Sequence, residues 1–326
     1  MSFDIDEALS LQLQEAECLK NALVTQRGII TLKTAEQWSA EAQQRPDPNA
    51  LWLSLWYEGE VCCLFADSNL GKSIYAVQIA DEIAKHQKVL YFDFELSDKQ
   101  FQLRYTDEEG NRHKFPVNLY RGEIDRVAVS TENFEEAIIN SIEDLATTTG
   151  AKVLIIDNLT YLCIASEKGD SAGSLMMRLM GLKRKYSLSI LILAHTPKRP
   201  LQNPITQNDL AGSKKLYNFF DSVFTIGRSA MDNSLRYIKQ LKVRYGGYTY
   251  DSDNVIVCAI EKENAFLRFN TIGYAQEKEH LKEQSEKDIS QEQENVLRLH
   301  QQGKSIREIA TELGLSKSKV GRIIKS

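Results

Sequence analysis

Nine consecutive residues, Phe65-Ala66-Asp67-Ser68-Asn69-Leu70-Gly71-Lys72-Ser73, carry the spacing G-x-x-x-x-G-K-[ST], with alanine where the first glycine usually stands. That pattern does one kind of chemistry. Backbone N–H groups of the loop and of the following helix point at phosphate oxygens. Lys72 reaches β- and γ-phosphates, and the Ser73 hydroxyl holds Mg2+. Ala66 matters only if its position needs a positive φ, which alanine resists. A second carboxylate, Asp157, ends the apolar run Val153-Leu154-Ile155-Ile156, where it suits Mg2+ held through water. Hydrolysis further needs a base to orient the attacking water. The residue after Asp157 is Asn158, so the glutamate many ATPases place there is missing. Glu95, ending the strand-like Val89–Phe94 run, is the leading candidate; Asp93, two residues earlier on the same face, is the other.

The elements that must position these groups follow from periodicity. Val61–Phe65 suits a buried strand, and Ile74–Ala84 is apolar at helical spacing. Strand, loop and helix thus come in the order a triphosphate site requires. Helices over 133–148 and 171–187, and strands at Val153–Asp157 and Ser189–His195, repeat the unit. Further strands fit Asp221–Arg228, Leu235–Arg244, Asn254–Glu261 and Phe266–Phe269, with a short one near Val117–Tyr120. Alternating strands and helices predict an α/β fold, a mainly parallel sheet with helices on both faces; the late strands, joined by short turns such as Gly246-Gly247, read as antiparallel. Ahead of the core, residues 4–24 place Ile5, Leu9, Leu13, Ala16, Leu19 and Leu23 on one helical face, for their own domain or a neighbouring subunit's groove. A short strand at 29–32 and a capped helix start at Thr34 follow.

Residues 50–270 resemble the RecA-like hexameric ATPases, especially the DnaB-type replicative helicases and plasmid RepA-type helicases. Beyond the phosphate loop the resemblance rests on Phe94-Glu95-Leu96-Ser97, Asp157, Ala194-His195 and Lys242-Val243-Arg244-Tyr245-Gly246. It implies a RecA-like P-loop NTPase core that hydrolyses Mg-ATP, with Glu95 as base and His195 as the γ-phosphate sensor relaying to a DNA-binding loop. It implies that Lys242 and Arg244 reach the neighbouring subunit's nucleotide, so the active form would be a homo-oligomer, a hexameric ring. The loops after Asp157 and His195 would face single-stranded DNA, with Lys198 and Arg199 supplying charge.

Residues 291–326 form a three-helix pattern: a helix through Val296 and Leu299 ended by Gly303, a second from Ser305 with Glu308 three residues on, and a third over Lys317–Lys325. Ile306, Ile309, Ala310, Leu313, Leu315, Val320 and Ile323 would make its core. The segment looks like the helix-turn-helix of resolvase and invertase recombinases. In that geometry Ser316, Lys317, Ser318 and Lys319 face duplex DNA, and Arg322 and Lys325 contact phosphates. A protein-interaction module with a solvated basic face is the alternative.

Composition agrees. The 326 residues carry a net charge of −5, but residues 296–326 alone carry +5, leaving −10 on the body. A basic tail on an acidic body suits a polyanion partner. No apolar run approaches the ~20 residues of a membrane span, and five unpatterned cysteines suit reduced core thiols in the cytoplasm. The boundaries expected are 1–49 (helical or linker segment), 50–274 (ATPase core), 275–290 (charged linker) and 291–326 (helix-turn-helix). The reading is a DNA-dependent ATPase, a helicase or helicase-like replication factor of a plasmid or mobile element. Its rival is a DNA-binding regulator switched by nucleotide, without unwinding. A small-molecule kinase is disfavoured, since no lid-like arginine cluster follows the loop.

Overall fold

Every residue of β5 (Val61–Ala66) is buried, because the strand lies mid-sheet and is covered on both faces. A buried parallel strand must be apolar along its whole length, and this one is. The computed structural model describes residues 25–27, 30–125, 134–159, 171–196, 199–210, 214–282, 286–313, 315 and 317–325. The apolar helix expected at 4–24, the loop after Asp157 from residue 160, Lys198 and Ser316 lie outside the described residues.

The chain divides into two units, Met1–Pro48 and Asn49–Ser326. In the first, β1 (Thr25–Arg27) pairs antiparallel with β2 (Ile30–Leu32). Helix α1 (Ala35–Gln43) starts at the expected cap: the Thr34 hydroxyl accepts from Gln37 N, and the Gln37 side chain accepts from Thr34 N at 3.0 Å.

In the second unit a small hairpin, β3 (Ala50–Trp52) and β4 (Trp56–Tyr57), leads into β5. Among the described residues the sheet has nine strands. Helix α2 (Lys72–Ala84) follows the phosphate loop; then come β6 (Val89–Asp93), α3 (Asp98–Arg104), β7 (Leu119–Gly122), α4 (Phe134–Thr149), β8 (Val153–Asp157), α5 (Ser171–Tyr186) and β9 (Ser189–His195). The short α6 (Lys214–Tyr217) precedes β10 (Ser222–Arg228), β11 (Leu235–Lys242), β12 (Val255–Glu263) and β13 (Phe266–Ala275). Their spatial order is β13-β12-β11-β10-β5-β9-β8-β6-β7. From β7 to β10 all neighbours are parallel, while β11, β12 and β13 extend the sheet antiparallel. Successive β5 side chains serve opposite cores. Val61, Cys63 and Phe65 pack with α4 and α5, whereas Cys62, Leu64 and Ala66 pack with α2. This is the mainly parallel α/β sheet with helices on both faces that the periodicity implies. Cys62, Cys63 and Cys258 are free and buried.

Three expectations are corrected. The β12–β13 turn is tight, with Asn264 and Ala265 both at positive φ as a two-residue hairpin requires, but β11 and β12 are joined by a longer excursion containing Gly246. β11 also ends at Lys242, two residues before Arg244. The stretch 275–290 is no continuous linker: β13 runs to Ala275, and the 3-10 turn Glu277–His280 is packed in, with Glu277 only 1% exposed. Its charges escape the burial penalty because they are paired, as described below.

The last three helices, α7 (Glu286–Gln301), α8 (Ile306–Leu313) and α9 (Lys317–Lys325), enclose Val296, Leu299, Ile309, Ala310, Val320 and Ile323. Ser305 and Glu308 cap α8 reciprocally, Ser305 N to Glu308 Oε2 at 2.8 Å and Glu308 N to Ser305 Oγ at 3.3 Å. Ile306, expected inside, is 40% exposed; it is the first residue of α8 and lies off the buried stripe. No helix among the described residues is long and apolar enough to cross a membrane.

Candidate active site

Parallel strands deliver their C-terminal ends to one edge of the sheet, and the residues singled out for chemistry converge there. Ala66 lies opposite His195 in the β5–β9 register, and Asp93 opposite Asp157 in the β6–β8 register. Ala66 is the last residue of β5 in extended conformation, so alanine costs nothing at the first loop position. The left-handed positions are Asn69 (φ 63°) and Gly71 (φ 92°). At Gly71 a Cβ would also sit 2.8 Å from Ile260 Cδ1 and 2.9 Å from Phe269, so glycine is required twice over.

Lys72 opens α2 and is buried. Its Nζ donates to Ala66 O (2.9 Å) and Asp67 O (3.3 Å) and lies 3.3 Å from His195 Nδ1. Burial lowers its pKa, against the pull of Asp157, Glu95 and Asp67. Ser73 hydrogen-bonds Asp157, whose Oδ2 also accepts from Tyr91 Oη at 2.7 Å. A hydroxyl facing a buried carboxylate is the donor set Mg2+ takes at a phosphate site, so the residues fit the ion. Asp67, Ser68, Asn69 and Leu70 complete the loop between β5 and α2.

Burial pushes the Asp157 carboxyl up to about 6. The folded chain therefore binds this proton more tightly than the unfolded chain, and stability falls as pH rises from about 4 to about 6. By pH 7, without Mg2+, the charged form costs roughly 3 kcal/mol at most. Asp157→Asn is thus expected to raise the melting temperature at pH 7 in chelator, with the gain fading toward pH 4. An equal melting temperature at both pH values would contradict this placement.

The two candidate bases sit in different surroundings. Asp93 is buried and fully engaged: Oδ1 accepts from Glu95 N (3.1 Å) and Leu96 N (2.9 Å), and Oδ2 from Arg121 Nε (3.1 Å) and Nη2 (2.9 Å). It holds the bend after β6 in shape. Glu95, just past the strand end, stays exposed and faces the site. Asn158 Nδ2 donates to Glu95 Oε1, and His195 Nε2 lies 3.3 Å from the same oxygen. His195 spans the site, with Nδ1 on Lys72 and Nε2 hydrogen-bonded to Glu95 and also 3.0 Å from Asn158 Nδ2. The His195–Glu95 hydrogen bond, with the nearby Lys72 charge, holds the Glu95 carboxyl below its ordinary range despite partial burial.

Asn158, noted in the sequence only for not being glutamate, is thus part of the site. Its place beside Asp157 was the available signal. Tyr91 and Arg121 were not legible, since each meets its carboxylate across strands.

The remaining expected residues are not brought to this edge in one way. Arg199 is turned inward, with its side chain 7% exposed. Its Nε lies 3.9 Å from Asp67 Oδ2 and its Nη1 donates to Asn203 O at 2.8 Å, so it is not presented to a DNA backbone. Lys242 and Arg244 lie at the opposite end of the sheet. Lys242 Nζ donates to Tyr217 O at 3.3 Å, and Arg244 Nη1 to Asp221 Oδ1 at 2.8 Å. Asp221 also accepts from Val61 N, at the start of β5, five residues and about 16 Å from the loop end. Neither side chain reaches the nucleotide site of its own chain. On α9, Arg322 is exposed and Lys319 half-buried. Lys317, Ser318 and Lys325 are placed on the same helix by the backbone.

A family model described as an AAA domain matches residues 30–200, just over half the chain. No curated protein sequence matches. Among solved structures, a KaiC-like protein from the hyperthermophilic archaeon Pyrococcus horikoshii OT3 is similar at 11% identity, over 66% of this chain and 91% of that one, with a TM-score of 0.49. The phosphate loop, Glu95, Asp157, Asn158 and His195 all fall within the matched residues, and the chain belongs to the AAA-domain family of P-loop ATPases.

Proposed function

We propose that the chain is a DNA-dependent ATPase, a helicase or helicase-like replication factor of a plasmid or mobile element, that hydrolyses Mg-ATP between subunits of a ring. The observation that carries the hydrolytic part is the Lys72–His195–Glu95–Asn158 cluster, which puts a base, its orienting groups and the phosphate-loop lysine in one contact set. Water attacks the γ-phosphorus as its proton passes to Glu95, and the bond to the β–γ bridging oxygen breaks to release ADP and phosphate. Lys72 neutralises charge on the phosphates, and Asn158 and His195 aim the Glu95 carboxylate. Ser73 and Asp157 would hold Mg2+, which supplies charge neutralisation at the β- and γ-oxygens. Arg244, and Lys242 beside it, complete a neighbour's site.

The DNA part rests on the resemblance and on charge. Residues 296–326 carry +5 against −10 on the rest of the chain, and α9 bears Lys317, Lys319, Arg322 and Lys325. Duplex DNA is the partner assigned to them, and single strands to the core loops. The same capped, basic three-helix cluster equally supports the second reading, a nucleotide-switched duplex-binding regulator.

The test is steady-state ATP hydrolysis without DNA, with single strands and with duplex, alongside strand displacement on a forked duplex. Several-fold stimulation by single strands with displacement supports the motor. Slow turnover indifferent to single strands, with duplex binding intact, leaves the switch.

A further inference from the structure

The 3-10 turn before α7 is fastened to the loop that follows His195, and the fastening is buried. Glu277 Oε1 accepts from Ile205 N at 2.8 Å, and Oε2 pairs with Lys239 Nζ at 2.5 Å. Lys239 Nζ also donates to Ile205 O at 3.0 Å, and Lys282 N to Leu201 O at 3.3 Å. On the other side, Ala230 N donates to His280 O at 2.9 Å, and Ser229 Oγ lies 2.8 Å from His280 Nδ1. A charged pair of this kind is costly to bury unless its geometry is satisfied, and here three separate segments satisfy it.

The fastening continues to the phosphate loop. Tyr237 Oη donates to Glu277 Oε1 at 3.4 Å and accepts from the Arg199 guanidinium. Arg199 in turn faces Asp67, the residue after Ala66, at 3.9 Å. Tyr237 is fully buried, and its ring lies where a Cβ on Gly227 would approach within 2.1 Å of Cζ, so the ring has one place to go. Burial and the Glu277 charge push the phenol above its ordinary range, so it keeps its proton and donates.

We propose that Asp67, Arg199, Tyr237 and Glu277 form a relay that couples occupancy of the phosphate loop to the turn leading into the C-terminal helices. Nucleotide at Lys72 and duplex DNA at those helices would then change each other's affinity by one common factor, since coupling between two sites is reciprocal. Phosphate arriving at the loop repositions Asp67, Arg199 follows its counter-charge, and the loop over 199–210 moves with the turn because Glu277 holds both. The DNA half of this inference rests on the function proposed above.

Tyr237→Phe is the test variant, because it deletes only the hydroxyl and keeps the ring over Gly227. Glu277 variants strand a buried lysine and risk unfolding. With the full chain, affinity for a labelled random-sequence duplex is measured without nucleotide, with Mg-ADP and with Mg-ATPγS. Native protein is expected to show a nucleotide-dependent change on the order of 5- to 150-fold. Tyr237→Phe should bring the factor near one while leaving each ligand's separate affinity unchanged. A factor retained in Tyr237→Phe, or no factor in native protein that binds both ligands, overturns the relay. If no duplex binds, the DNA reading fails on its own. The relay is then read from hydrogen exchange at the 277–282 amides with and without Mg-ATPγS. A change in protection lost in Tyr237→Phe upholds it; no change, or the same change in both proteins, overturns it.

Discussion

Arg244→Ala is expected to lower kcat by ~10^3 to 10^5, the range an arginine finger contributes to phosphoryl transfer. Arg244 is 60% exposed and about 16 Å from its own phosphate loop, so the effect must come from another subunit's site. Little stability should be lost, because Asp221 keeps Lys183 Nζ at 2.7 Å and Val61 N at 2.9 Å. Mixing separates the two roles. Arg244→Ala and Lys72→Ala chains, each inactive alone, should regain turnover together, since some interfaces pair an intact phosphate loop with an intact finger. If Arg244→Ala keeps native turnover, Arg244 is a surface residue; if both variants assemble and the mixture stays inactive, completion of the site by a neighbouring subunit is excluded.

Glu95→Gln should cost ~10^2 to 10^4 in kcat, with nucleotide affinity near the native value, because a positioned base acts in the transition state and not in binding. The isosteric amide still meets His195 and Asn158, so the fold of the bend should persist. Asp93→Asn provides the contrast. It weakens the grip on Glu95 N, Leu96 N and Arg121, so its loss should appear in melting temperature as well as in turnover. A Glu95→Gln enzyme with native turnover would move the base elsewhere. Asn158→Ala should fall between the two, lowering kcat without changing nucleotide affinity.

These expectations rest on unequal footings in the chain. The phosphate loop is contiguous, and its flanks are short-range patterns, so strand, loop and helix could be read directly. The parallel sheet followed from continuous apolar runs, each buried on both faces once folded. Position 66 illustrates the limit of motif reading. The alanine looks like a defect in a linear pattern, and becomes neutral once the positive φ is seen to fall at Asn69 and Gly71.

What only the tertiary structure decided is which charges act and which merely hold the chain. Asp93 and Glu95 are both acids at one strand end, and they part because Arg121, brought alongside by the β6–β7 pairing, claims Asp93. Arg199 reads as a basic loop residue, yet its counter-charge is Asp67, more than a hundred positions earlier. Glu277 sits in a run of charges that reads as a linker, because its partners Ile205, Tyr237 and Lys239 come from a different loop and strand. Local periodicity sets each element and the order of the elements. A charge's burial depends on partners that only long-range packing supplies, so its role could not be legible before the fold was.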